Sequence, residues 1–486
     1  MGTSGKISLP VLLRVQGYLL LIEGVFMLTI LPVTYFHHGI NAFSIPFSAL
    51  ITVLTGFILC VSTRRTKGRK INHREGVVTI CLSWVMLSVF GGLPFLLSKS
   101  VPNFTDAFFE ALSGFTTTGA SVLTNLEAVP KDILLWRSMT QWIGGLAIIV
   151  FAVAIIPFLG VGGMQLFMTE MNGINYDKLH PRIMHTAKRL WGLYLFFTLL
   201  ETVLLYWGDM DLFDAVCHSM TTISSGGFST RTSSIAGYSN YTQVVVTFFM
   251  VLSGCNFTLL LISLVRNPLA LFKNEEFRHF LITIFAVSVV LAVALVFMVK
   301  TSVGYALRAS FFSVVSALTT TGFFVCDYTL WPVGLWVVIL YLMFIGACSG
   351  STAGGVKIIR HLIFTKNAFL ELKRILHPNA VIPVKINGKS ISRSVNFKTI
   401  TFVFVYFFIF IIGMVILLSL GVDFNTSVGA SVATLSNLGT GIGSVGPYGT
   451  YAFLPQAAKW VLLVFMLLGR VELFTLISIF SRNFWK

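Results

Sequence analysis

Four short stretches of this chain join hydroxyl-bearing residues to glycine, and each stands at the same point of a longer pattern. They read Thr116-Thr117-Thr118-Gly119, Ser224-Ser225-Gly226-Gly227, Thr319-Thr320-Thr321-Gly322 and Ser436-Asn437-Leu438-Gly439. Aligned on Gly119, Gly227, Gly322 and Gly439, the thirteen preceding residues line up without a gap, and the glycines lie 108, 95 and 117 positions apart. The chemistry that suits such a phrase is the passage of a monovalent cation. An ion gives up its water only where oxygens replace it, and backbone carbonyls do so without net charge, so the ion can also leave. Aiming successive carbonyls at one axis forces unusual backbone angles, which glycine reaches at little steric cost. The candidate ligands are Thr117, Thr118, Gly119, Ser225, Gly226, Gly227, Thr320, Thr321, Gly322, Asn437, Leu438 and Gly439, mainly through their carbonyls. Gly226-Gly227 leaves the second copy's register ambiguous by one. The gapless alignment, and Phe228 matching Phe323, favour Gly227. The fourth copy has no threonine before its glycine, so any ring is only pseudo-symmetric.

The elements that position these phrases are apolar. The chain has 486 residues, 56% hydrophobic and 11% charged, whereas a soluble protein carries about a quarter charged residues. Runs of about 18 or more apolar residues read as membrane spans, and they recur along the whole chain. The first run contains Arg14 and Glu23 without a small-residue cleavage site, and reads as a retained helix. The expected architecture is an all-α polytopic membrane protein. An N-terminal helix pair (10–35 and 42–63) precedes four span–loop–span repeats in a pseudo-four-fold arrangement. The expected segments are 77–98, 105–117 and 134–158; 190–208, 213–225 and 241–264; 280–300, 308–320 and 331–362; and 399–421, 426–437 and 456–481. The corresponding units are 1–76, 77–165, 166–275, 276–390 and 391–486. The middle segment of each repeat is too short to span. Asp106 to Ser113 makes about two turns of helix, ~12 Å long, so it re-enters. Non-helical backbone at membrane depth is tolerated only where it is buried in protein or lines a wet cavity. Four such segments imply one shared cavity, with each short helix aiming its partly negative C-terminal end at it.

The net charge of +16 invites a nucleic-acid reading, but its placement argues against one. Basic residues cluster at 64–74, at Lys178, Arg182, Lys188 and Arg189, at Arg266, Lys273 and Arg278, and from Lys357 to Lys398. These loops fall on one side, the positive-inside signature, which puts both termini in the cytoplasm. Ten spans and four re-entrant loops give the same parity. Six scattered cysteines, none in a Cys-x-x-Cys, read as small apolar residues in helices. No Ser/His/Asp set, metal-spaced His/Cys cluster or paired carboxylate emerges. The histidines are read mostly as loop residues (His37, His38, His73, His180, His185, His361, His377).

Three further features need an account. The run Gly346-Ala347-Cys348-Ser349-Gly350-Ser351-Thr352-Ala353-Gly354-Gly355 interrupts the second span of the third unit and would weaken or break its helix; it reads as a hinge or gating loop below the four phrases, with Gly350–Gly355 the gating residues, or else as close helix packing through small residues. Arg470 lies in the apolar run 461–480, with Glu472 beside it. A buried arginine faces a pore or a partner, so Arg470 either projects into the pore as a barrier to cations or pairs with an acid or a helix end. Asp106, Asp214 and Asp423 stand at helix starts and read as caps.

This organisation resembles the Trk/Ktr/HKT superfamily of potassium transporters over essentially the whole chain, and most closely its bacterial TrkH/TrkG-type translocating subunits. Beyond the four phrases, the likeness rests on Gln141-Trp142-Ile143-Gly144-Gly145, Leu159-Gly160-Val161-Gly162-Gly163-Met164-Gln165 and Ser253-Gly254-Cys255-Asn256. It extends to Gly350–Gly355, His377-Pro378-Asn379-Ala380-Val381 and Leu468-Gly469-Arg470. The resemblance implies a potassium pore built by one chain in the bacterial inner membrane. Gly119, Gly227, Gly322 and Gly439 would be its filter glycines, Gly350–Gly355 its intramembrane gate and Arg470 its pore arginine. Glycine at all four positions goes with potassium preference in the family. The resemblance also implies a homodimer seated on a cytoplasmic TrkA-like ring of nucleotide-binding regulatory subunits. Potassium is then the cargo, and no organic cofactor, no nucleic acid and no enzymatic activity are expected. Two other classes compete. A transporter of larger solutes built on repeats calls for inverted halves with broken helices, whereas these repeats are four and parallel. An intramembrane enzyme needs a nucleophile–base or metal set within the spans, and none is visible.

Overall fold

The computed structural model describes residues 7–36, 43–64, 72–154, 179–377, 380, 382–471 and 473–485. The segment Leu159–Gln165, Lys178, Glu472, most of the basic loop 64–74, His37, His38, Pro378, Asn379 and Val381 lie outside the described residues. The structure is helical apart from a two-residue hairpin, Lys385–Ile386 paired with Lys389–Ser390. Among the described residues, six helices are long and apolar enough to cross a membrane, and two bent pairs raise the number to eight. The other two expected spans are Lys131–Ala154 and Val333–Phe344. The latter ends at the glycine-rich interruption expected within 331–362. The glycine-rich run cannot continue a helix, so the chain leaves it after Phe344 and resumes at Ile358–Leu376. The second span of the second unit also breaks, by 100° between Asn240–Ser253 and Phe257–Val265. Gly254 ends the first piece, and the Asn256 side chain caps the second.

Four short helices, Phe104–Phe115, Leu212–Ile223, Val303–Leu318 and Phe424–Leu435, carry the repeated phrases. Each is capped at its start by a side-chain oxygen, from Asn103, Asp211, Ser302 and Asp423, accepting from a backbone N–H three residues on. Hydrogen bonds from Thr426 hold the Asp423 carboxyl below its ordinary pKa. Asp423 is thus a cap as expected, but Asp106 and Asp214 are not. They sit at the third position of their helices, within the first turn, where the cap already bonds their backbone N–H, and their carboxylates meet cations instead. Asp106 pairs with Lys459 at 2.7 Å and Asp214 with Arg231 at 3.2 Å. Three of the helices are twelve residues long; the third is sixteen, one turn longer at its outer end. Apart from their outer ends they are largely buried, because they lie inside a ring of longer helices whose outward faces expose apolar side chains such as Phe196, Phe285 and Phe404. His73, His180, His185 and His361 stand in helices rather than loops.

The first short helix is held by two buried ion pairs. Besides Asp106–Lys459, Glu110 meets Arg137 at 2.6 Å and accepts from Ser121 Oγ and Val122 N, both at 2.9 Å. Removing one partner of such a pair leaves a buried charge and costs about 3–5 kcal/mol. Lys459→Met is therefore expected to lower the thermal unfolding temperature in detergent, and adding Asp106→Asn to recover most of the loss. Equal melting of the single variant and the wild type would contradict this account of the helix.

Candidate ion site

The end of each short helix repeats in atomic detail. Thr118 N, Gly226 N, Thr321 N and Leu438 N donate to the carbonyl five residues back, at 2.8–3.0 Å. Thr117 N, Ser225 N, Thr320 N and Asn437 N donate to the carbonyl three back, at 2.8–3.3 Å. This pair of bonds is the Schellman ending, in which the residue just past the helix turns left-handed and is usually glycine. Here it is Thr117 (φ 50°), Ser225 (φ 55°), Thr320 (φ 51°) or Asn437 (φ 54°). A β-branched residue in that region is strained, by about 1–3 kcal/mol, and persists only where its surroundings over-determine it. Side-chain bonds supply that determination in three copies. Ser225 Oγ meets Thr352 Oγ1 at 2.7 Å and Ser253 Oγ at 3.0 Å. Thr320 Oγ1 accepts from Gly354 N at 2.7 Å. Asn437 Nδ2 donates to Met466 O and to Thr118 Oγ1. The sequence pattern pointed to glycine as the left-handed residue and missed these four; threonine and serine argue against the conformation, and only Asn437 is of a type that adopts it readily.

Two residues later the chain turns left-handed again, at Gly119 (φ 81°), Gly227 (φ 76°), Gly322 (φ 84°) and Gly439 (φ 83°). The second copy's register therefore falls on Gly227. The space at each glycine is filled by a neighbouring copy. A methyl group on Gly119 would run into the Gly226 carbonyl, one on Gly227 into Thr321, one on Gly322 into Leu438, and one on Gly439 into Thr118. The contacts pass from first copy to second, third, fourth and back to first, so the four phrases form one closed ring. Side-chain donors brace the ring's carbonyls: Thr440 Oγ1 to Gly322 O at 2.5 Å, and the Tyr451 hydroxyl to Gly439 O at 2.7 Å. A funnel opens on one side, and all four glycines line it. Its wall includes Arg137 and Arg231, each neutralised by a carboxylate and laid over an aromatic ring, Phe228 at 3.5 Å and Tyr238 at 4.4 Å. Neither presents an unpaired positive charge to an approaching cation.

On the other side lies the run Gly350–Gly355. Gly350 (φ 76°) and Gly355 (φ 65°) turn it, and Ser351 Oγ closes it on Cys348 O at 2.6 Å. Thr352 is fully buried and bonds to Ser225 Oγ, to Ile223 O at 3.1 Å and to Ser253 O at 3.2 Å. Gly354 packs on the Ser436 carbonyl, and Lys357 Nζ donates to Ala353 O. Arg470, 4% exposed, donates to Thr352 O at 2.9 Å and to Gly144 O at 3.0 Å. These partners are carbonyls rather than acids. Through these bonds Arg470 joins the run to the first unit's second long helix. The run thus touches the second, third and fourth copies and is tied to the first. Among the described residues no three metal-ligating side chains converge, and all six cysteines are free. Glu23 and Glu201 are buried, and no hydrogen bond to either carboxylate is seen among the described residues.

With this geometry in hand, comparison with known proteins is decisive. A model of the TrkH family, described as a cation transport protein, matches residues 47–486. The chain belongs to that family. It is 40% identical over 442 residues to the Trk system potassium uptake protein TrkH of Escherichia coli K12, covering 90% of this chain and 91% of that one. The TrkG protein of the same organism is 35% identical over 428 residues, 87% and 88% of the two chains. The crystal structure of the potassium transporter TrkH from Vibrio parahaemolyticus superimposes with a TM-score of 0.90 at 36% identity, covering 98% of this chain and 99% of that one. The family comprises transport proteins rather than enzymes, in keeping with the apolar, multi-span chain.

The ring makes a direct prediction. Gly227→Ala places a methyl group against the Thr321 carbonyl and forces alanine to φ 76°, so it should abolish ion flux into liposomes. Gly304→Ala, where a methyl group meets nothing within 4 Å, should leave flux unchanged. Equal flux in both variants would mean that the glycines do not set the ring.

Proposed function

We propose that this chain carries potassium ions into the cell through the ring of Gly119, Gly227, Gly322 and Gly439, with the neighbouring carbonyls as ligands. The single observation that carries this reading is the cyclic contact of the four phrases, which puts four copies of one carbonyl-rich segment around one axis. The left-handed turns two residues apart support it further. Alternation of backbone hand turns consecutive carbonyls to one side, where a dehydrated cation can meet them. The relatives are named as potassium uptake proteins, in accord with glycine at all four positions. The ion is cargo, and the chain needs no organic cofactor to move it. A membrane potential of about 150 mV is worth roughly 3.5 kcal/mol per charge, enough for accumulation on the order of a few hundred-fold.

In this reading Gly350–Gly355 is the gate, held shut beneath the ring by Thr352, Gly354 and the two bonds of Arg470. The protein sits in the bacterial inner membrane with both termini in the cytoplasm, where the basic loops lie. The relatives' names speak of a Trk system, and the basic segment 357–398 offers a surface for a TrkA-like nucleotide-binding ring beneath a homodimer.

Rubidium uptake into proteoliposomes, with excess potassium or sodium as competitor, tests both parts. Potassium should block uptake in the wild type, and Gly119→Ser should relax that preference. Arg470→Gln, which gives up charge-assisted bonds to the gate, should raise uptake on the order of ten-fold. Equal block by sodium in wild type and Gly119→Ser would remove the ring from ion selection. Unchanged uptake in Arg470→Gln would remove the arginine from gating.

A further inference from the structure

The second phrase differs from the others at one position. Thr118, Thr321 and Leu438 precede their glycines with a side chain, whereas Gly226 precedes Gly227 with none. The backbone does not call for glycine there, since the left-handed turn falls on Gly227 and Gly226 is not in that region. Space does. A methyl group on Gly226 would run into the side-chain amide of Gln141, which comes from the first unit's second long helix. Gln141 is fully buried. Its Nε2 donates to Gly226 O at 2.7 Å, and its Oε1 accepts from Phe228 N at 3.0 Å. The amide therefore brackets Gly227 from both sides, and it also lies against the space beside Gly119.

The other copies brace themselves differently. Thr118 and Thr321 hydroxyls bond within their own copy, to Thr116 Oγ1 at 2.7 Å and Thr319 Oγ1 at 2.8 Å. In the second copy the corresponding Ser224 hydroxyl donates to Thr221 O instead, at 3.2 Å. We infer that Gln141 replaces, from another helix, the side chain that Gly226 lacks, and so positions the second copy's carbonyls for discrimination between potassium and sodium. The inference rests on the filter reading proposed above. A carbonyl oxygen has two lone pairs, so the bond from Gln141 leaves Gly226 O able to meet an ion. Sodium is smaller than potassium and is held well only if the carbonyls close in. Two hydrogen bonds on either side of Gly227 resist that collapse. Gln141 is thus a positioning residue for ion choice rather than a ligand.

The same uptake assay, with sodium and potassium as competitors, tests this in Gln141→Leu, Gly226→Thr and the double variant Gln141→Ala/Gly226→Thr, beside Gly119→Ser. In Gln141→Leu rubidium should still enter, but sodium should compete on the order of ten-fold better. Gly226→Thr should lose uptake through its clash with the amide. The double variant makes room for a threonine like those of the first and third copies, and should recover both uptake and potassium preference. Wild-type sodium competition in a monodisperse Gln141→Leu, or a double variant no better than Gly226→Thr, would overturn the inference. If Gln141→Leu does not fold, the comparison of the double variant with Gly226→Thr decides alone. If Gly119→Ser relaxes selectivity while the Gln141 variants do not, this inference fails and the filter reading stands. If Gly119→Ser also leaves selectivity unchanged, the filter reading itself fails.

Discussion

Each of four glycines gives up its side-chain space to a carbonyl of the next copy, and the rest of the structure depends on that contact. The ring closes only if all four phrases reach the axis at the same depth. That requirement fixes the short helices, which share a capped start and a Schellman ending, and allows the third to grow only at its outer end. It also fixes the strain. Thr117, Ser225 and Thr320 take a left-handed turn that their side chains disfavour, and Asn437 takes the same turn at less cost, because no other path brings the following glycine to its place. Strain of this kind is stable where the surroundings allow no alternative. The ring is accordingly buried, braced from outside by tyrosine and threonine hydroxyls, and bonded from below.

A single chain can support each quarter of such a ring differently, and this one does. The first short helix leans on two buried ion pairs. The second phrase is bracketed by Gln141. The second and third hold the run Gly350–Gly355 through Ser225 and Thr320, and the fourth holds the last long helix through Asn437. Three of the four left-handed residues, Ser225, Thr320 and Asn437, are therefore also the ones that touch the run or the helix bearing Arg470. In the proposed reading, coupling between ion occupancy of the ring and the position of the run would have a short physical path, through the hydroxyls of Ser225 and Thr320.

Much of this was legible in the sequence because it repeats. A phrase recurring at one offset within an apolar pattern fixes copy number, re-entrant helices and their approximate bounds without any knowledge of packing. Gly227 rather than Gly226 followed from alignment alone. The break after Val333–Phe344 was also legible, because so many small and flexible residues in succession end a helix. Other features were hidden for physical reasons. Asp106 and Asp214 look like caps by spacing, but the true caps stand three residues earlier, and the aspartates answer to Lys459 and Arg231, distant in sequence. Gln141 carries no local signal beyond being polar in an apolar run; its meaning depends on a glycine 85 residues away. Arg470 is visible as an intramembrane charge, yet its carbonyl partners carry no side-chain signature.

The most direct test of the central claim is to locate the ions. A crystal of the protein grown or soaked in rubidium should give anomalous density on the axis of the ring, among the carbonyls beside Gly119, Gly227, Gly322 and Gly439. Density confined to the funnel wall near the paired arginines, with none on the axis, would contradict it.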